Sequence, residues 1–165
     1  MIIGVMELGK QLESIDKLSL RKGIARAAVY VQAAAKANCP VHDGELRGSI
    51  YADTEDQGDM VRGVCYTDKN YSPFVEFGTG PKGQANHEGI SPEVAVSYSQ
   101  SPWWIHESQI DAAIAEEYHF FYIDTPEGRF YQCTGQAAQP FLYPALKNNE
   151  DKITEIVEQE VKRQL

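Results

Sequence analysis

The side chains here that could do acid–base chemistry are His42, Asp43, Glu45 and, further along, Glu76. Two apposed carboxylates could hydrolyse a glycosidic bond, and a histidine beside an acid could shuttle a proton. His42 adjoins Asp43 and Glu45 follows two residues on, but catalysis needs apposed geometry that a sequence does not show, and no nucleophile–base pair is set up, so these residues read as solvated or capping groups. His42, His87, His106 and His119 are scattered without metal-ligand spacing. Cys39, Cys65 and Cys133 are odd in number and contain no CxxC pair, which speaks against a disulfide framework and a zinc site and for free thiols. Gly78-Thr79-Gly80-Pro81-Lys82-Gly83 has the look of a phosphate cradle, but a Walker loop needs Gly-Lys-Ser/Thr ahead of a helix, and here the lysine is misplaced and no helical pattern follows. Trp103-Trp104 could form a ligand platform; burial under the adjacent loop or packing on a neighbouring subunit is the preferred reading. No catalytic, cofactor-binding or metal-binding residue is expected, and no cofactor.

The bulk properties agree. A chain of 165 residues is expected to be one domain with a real core. Its formal net charge of −9 argues against ordinary nucleic-acid binding, which requires clustered Lys and Arg to displace counterions. No run reaches the length of a transmembrane span, and the N-terminus lacks a basic region and a signal-peptide core, so the chain is expected to be made and folded in a cytoplasm. The nine tyrosines and the paired tryptophans are side chains enriched where proteins meet proteins.

The elements that would position these residues begin with a short amphipathic segment ending near Ser14. A longer helix follows from about Ser19 to Asn38, with Leu20, Ile24, Ala27, Ala28, Val31, Ala34 and Ala35 on one stripe. Pro40 ends it. Residues Glu45 to Ile50 fit either a helical turn or the entry to a strand. Strands are expected over Ser49–Glu55 and Met60–Thr67, joined at Gln57-Gly58-Asp59. Tyr71–Phe77 fits a helical turn or a strand. From 78 to 102 the density of Gly, Pro and Ser predicts a long surface loop, with a brief strand at Val94-Ala95-Val96. Ser108 is a candidate cap for a helix through Tyr118. Phe120–Ile123 and Arg129–Cys133 flank Thr125-Pro126-Glu127-Gly128 as a hairpin. Pro140 to Leu146 reads as an extended apolar linker into a terminal helix with Ile153, Ile156, Val157, Val161 and Leu165 on its apolar stripe, the last of these lying outside the residues described below. The fold class is α+β: an antiparallel sheet, drawn from the strands around Ile50, Val64 and Phe121–Tyr131, packed against the long Ala-rich helix, with a C-terminal helix.

Three blocks carry a resemblance. The first runs Cys39-Pro40-Val41-His42-Asp43-Gly44-Glu45-Leu46-Arg47-Gly48-Ser49-Ile50. The second runs from Tyr71 through Val75-Glu76-Phe77-Gly78-Thr79-Gly80. The third runs from Thr134 to Leu146 and includes Pro140-Phe141-Leu142-Tyr143-Pro144-Ala145. Together, and in this order, they resemble the tail-completion, or neck, family of long-tailed bacteriophages, the Hong Kong-type phage gene-product-ten family. The chain departs from that pattern at His42-Asp43, at Ser72, and in a longer segment from Gly83 to Cys133. The resemblance implies a non-enzymatic virion protein at the head–tail junction that completes the tail and joins it to the capsid. It also implies a homo-oligomeric ring, such as a hexamer, partnered by other connector and tail proteins, without sequence-specific nucleic acid or membrane. Its locations would be the virion and, during assembly, the host bacterial cytoplasm. The family motif residues are Pro40, Gly44, Leu46, Arg47, Ser49, Ile50, Tyr71, Val75, Glu76, Phe77, Gly78, Thr79, Gly80, Pro140, Phe141, Leu142, Pro144 and Ala145. The alternatives are a small hydrolase using Glu76 with another carboxylate, or a different connector post such as head closure or tail terminator.

Overall fold

The computed structural model describes residues 3–164, with side chains from Lys17 to Arg163. In chain order the elements are α1 (Ile3–Asn38), α2 (Glu45–Gly48), β1 (Ile50–Gln57), β2 (Met60–Thr67), α3 (Ser72–Phe77), α4 (Gly80–Ala85), β3 (Trp103–His106), a 3-10 turn (Glu107–Gln109), α5 (Ala112–Glu117), β4 (Tyr122–Thr125), β5 (Gly128–Cys133), α6 (Leu142–Lys147) and α7 (Glu150–Gln164). This is the α+β class that the sequence predicts, with the long N-terminal helix and the C-terminal helix in place. The chain forms two compact units. One is built from residues 1–70 and 141–165, the other from 71–140.

In the first unit the Ala-rich stripe of α1 does the packing. Ala27, Ala28, Val31 and Ala35 are buried, and Ala35 is fully enclosed. Small side chains let partners approach closely. A Cβ placed on Gly63 of β2 would lie 3.0 Å from Ile24 Cγ2, so the hairpin lies directly on the helix. On another face Gly23 admits α7, because a Cβ there would meet Val157 Cα at 3.2 Å. The glycine therefore sets the α1–α7 distance, and its cost to helix propensity is offset by packing. Strands β1 and β2 pair antiparallel from Ile50↔Thr67 to Gln57↔Met60. Gly58 takes φ 63°, as a two-residue turn with glycine first requires. Ile50 and Phe141, both fully buried, fill the core beside Leu46 and Ala145. Burying a side chain like Phe141 contributes up to about 3 kcal/mol. Glu160 of α7 is buried but not bare: it takes ion pairs from Arg26 of α1 and, at 2.9 Å, from Arg163.

The second unit holds a three-stranded antiparallel sheet in the order β3-β5-β4. The β4–β5 hairpin turns at Pro126-Glu127, with Gly128 at φ 126°. Helices α3, α4 and α5, the 3-10 turn and the irregular segment 86–102 also belong to the unit.

Several expectations need correction. The two N-terminal segments are one helix, since Ser and Asp near residues 14–19 do not oblige a helix to stop, and Ser19 lies buried within it. The strands do not form one sheet. Tyr122–Cys133 pairs with Trp103–His106, and β1–β2 stands as a separate two-stranded sheet. The segment 78–102 is not all loop, because Gly80–Ala85 is helical with Pro81 in its first turn. No strand forms at Val94–Val96. The helix expected from Ser108 starts instead at Ala112, capped by Asp111, whose Oδ1 accepts from Ala113 N at 2.9 Å. The linker after Pro140 is a short helix, α6, set apart from α7.

Candidate functional site

The motif blocks fall into two places, one in each unit. The first block and the end of the third belong to the first unit. Pro40 follows the buried Cys39 and closes α1. Asp43 Oδ1 accepts from Glu45 N at 2.9 Å, and Gly44 takes φ 86°, so these two make the sharp turn into α2. Leu46 drops into the core while Arg47 stays exposed. Ser49 is buried, its Oγ 2.9 Å from Leu46 O and 2.6 Å from Thr67 Oγ1, which ties the start of β1 to the end of β2. Ile50 O accepts from Gln32 Nε2 of α1 at 2.7 Å. Phe141 and Ala145 are core residues. Leu142 lines an open apolar groove of about 380 Å³ together with Ala28, Val31, Val64, Cys65 and Ile153.

The second block and the start of the third form a clasp in the other unit. Thr79 and Gln136 make an isolated antiparallel bridge, with Thr79 N donating to Gln136 O at 2.9 Å and Gln136 N donating to Thr79 O at 3.1 Å. Lys82 N donates to Thr134 O, Gln136 Nε2 to Phe74 O, and Gln139 N to Val75 O. These bonds are possible only because glycines stand where the backbones touch. A Cβ on Gly78 (φ 74°) would lie 2.7 Å from Ala138 N, and one on Gly135 (φ 82°) would lie 1.9 Å from Thr79 O. The motif Gly78-Thr79-Gly80 is thus a shape requirement. The sequence reading did not include Gly135 or Gln136 among the site residues. The available signal is an isolated glycine two residues after the alternating strand Arg129–Cys133, which marks close backbone approach.

Beside the clasp lies an apolar groove of about 680 Å³ lined by Tyr71, Phe74, Val75, Thr79, Gly80, Ser99, Trp103 and Gln136. Glu76 is not on its wall: it sits buried in α3. Trp103 and Trp104 are 38% and 42% exposed, which corrects the expectation that they lie under the loop. The histidines serve locally. His87 stacks on Tyr98, His106 contacts Ser108 Oγ and Glu127 O, and His42 is exposed. Among the described residues no group of three or more His, Cys, Asp or Glu is placed to hold a metal ion. Cys39, Cys65 and Cys133 form no disulfide among the described residues. Burial pushes the thiols of Cys65 and Cys133 up, and the Lys36 charge draws Cys65 part of the way back. In the second sheet Arg129 lies 3.9 Å over the Tyr122 ring, and its hydrogen bond holds the Asp124 carboxyl below the usual range.

The geometry defines a small α+β protein whose motif residues shape backbone rather than gather reactive groups. Residues 5–78 match the model of a family described as "Bacteriophage HK97-gp10, putative tail-component", so that segment is similar to this family. The match takes in the first block and nearly all of the second, and the third block lies outside it. No curated protein and no solved structure gives a significant match.

Proposed function

We propose that the chain is a non-enzymatic structural component of a phage or prophage particle, acting at the head–tail junction to complete the tail and join it to the capsid. The observation that carries this reading is the use made of the family motif. Gly78, Thr79 and Gly80 are spent on a backbone clasp with Gly135 and Gln136, and the groove beside it is lined by aromatic, apolar and uncharged polar residues without a carboxylate. A site of that kind offers contact area and a fixed shape, which an assembly subunit needs and a hydrolase does not. The phage tail-component description of the matched segment supports the same reading. In the particle, copies of the chain would form a ring against connector and tail neighbours. The test is electron microscopy of particles made without this protein. Filled heads and finished tails that fail to join are the expected result. Normally joined particles would refute the junction role, and tails of uncontrolled length would move the protein to a terminator post.

A further inference from the structure

We propose that the free subunit pairs with a second copy of itself through the outer edge of β3, forming a continuous six-stranded sheet about a twofold axis at Trp104. Open strand edges are templates for pairing, and proteins guard them with charge. Strand β1 carries Asp53, Glu55 and Asp56, β2 carries Arg62, and β4 carries Asp124. Strand β3, Trp103-Trp104-Ile105-His106, is an edge strand with no charged residue.

The hydrogen-bond pattern says which groups face outward. Gln132 N donates to Phe121 O, so Gln132 and Phe130 direct their backbone toward β4, and Tyr131 and Cys133 toward β3. Their partners Ile105 and Trp103 therefore face inward, and the N–H and C=O of Trp104 and the N–H of His106 point to the open edge. No backbone bond among the described residues uses these groups beyond the sheet.

This edge complements itself. In an antiparallel pair centred on Trp104, the two Trp104 residues exchange both of their backbone bonds. His106 then falls opposite Pro102 of the other copy. His106 N–H can donate to the Pro102 carbonyl. The reverse bond is not needed, because proline has no N–H and the His106 carbonyl already accepts the first bond of the 3-10 turn that it caps. Trp103 falls opposite Ile105, an aromatic–β-branched pairing that sheets favour. The two Trp104 rings share a face, each 6.1 Å from its own Phe121 ring. No like charges meet, although the chain as a whole is strongly acidic.

At about 200 Å² per ring, the exposed fractions of the two tryptophans supply roughly 160 Å² per copy, well under the about 800 Å² of a standard interface. The pair is therefore weak and concentration-dependent. It is also closed, so it does not extend into a ring. It is a state of the free subunit, and it stands or falls independently of the junction role.

Sedimentation velocity from micromolar to millimolar subunit concentration tests it. Reversible dimerisation is expected, with Trp104→Lys weakening it at least about tenfold by setting like charges opposite each other. A Trp104→Cys variant should cross-link to itself on mild oxidation, because hydrogen-bonded antiparallel partners lie within disulfide reach, whereas Thr125→Cys on β4 should not. A protein that stays monomeric throughout, a dimer indifferent to Trp104→Lys, or a Trp104→Cys dimer that fails to cross-link would each overturn the proposal. Circular dichroism of both Trp104 variants confirms that they remain folded.

Discussion

Replacing Gly135 with alanine tests the clasp most directly. Gly135 sits at φ 82°, and a Cβ would come within 1.9 Å of the Thr79 carbonyl oxygen, itself backbone and unable to swing away. Two costs follow. A non-glycine residue in the left-handed region costs about 1–2 kcal/mol. The clash also forces the strands of the bridge apart, so the bonds between Thr79 and Gln136 are lost at about 1 kcal/mol each. The sum is about 3–4 kcal/mol, or more than a hundredfold in an opening equilibrium. Amide hydrogen exchange is the right assay, because unfolding of a two-unit chain need not be two-state. In Gly135→Ala the Thr79 and Gln136 amides should lose at least about a hundredfold in protection. Gly48→Ala, where a Cβ meets nothing within 4 Å, should leave them unchanged. Wild-type protection in Gly135→Ala would show that the backbones do not touch as described.

Other outcomes follow from the same geometry. Ala35→Glu places a charge at a fully enclosed position of α1 and should lower stability by about 3 kcal/mol or more, read from thermal or urea unfolding; an unchanged midpoint would refute the packing of the Ala stripe. Because burial pushes the Cys65 and Cys133 thiols up and the thiolate is the reactive form, alkylation of the folded protein should be slower than that of an exposed thiol near neutrality and should accelerate as pH rises; unfolding in denaturant should release three free thiols. Limited proteolysis should cut first within 88–97, where no regular structure forms, and protection of that segment would mean that it is packed. In α7, Glu150, Glu155 and Glu158 are each paired with a lysine, whereas on the β1–β2 hairpin Asp53, Glu55 and Asp59 have no ion pair among the described residues. If the protein rings the DNA channel, changing the hairpin acids to Lys should slow ejection in a salt-sensitive way while the same change in α7 should not, and normal ejection from both would place the acidity on an outer surface.

What the sequence made legible was local and periodic. The stripe Ala27, Ala28, Val31 and Ala35 spells out the buried face of α1, and both hairpins announce themselves by alternation around Gly58 and around Pro126-Glu127-Gly128. Partnership between distant segments was not legible. Trp103–His106 has four residues and little alternation, and it becomes a strand only because Tyr131 and Cys133 offer it an edge. Gly78-Thr79-Gly80 reads as loop chemistry until Gly135 is seen against it, since positive φ and close approach belong to a pair of segments. The third block reads as one stretch, yet it divides at Pro140, its first part in the clasp and Phe141 in the core of the other unit.

That division bears on how the chain is made. The first unit is interrupted after Asn70 and resumes only at Phe141. At a synthesis rate of roughly 5–20 residues per second, about 4–14 seconds separate the two halves. During that interval α1 and the β1–β2 hairpin wait on the ribosome without Phe141, Ala145 or α7, and the second unit is free to mature ahead of them. Phe141, Ala145 and α7, made only after the second unit, are thus the ones that close the first unit, and a nascent chain arrested before Phe141 would be the species that chaperones or aggregation capture.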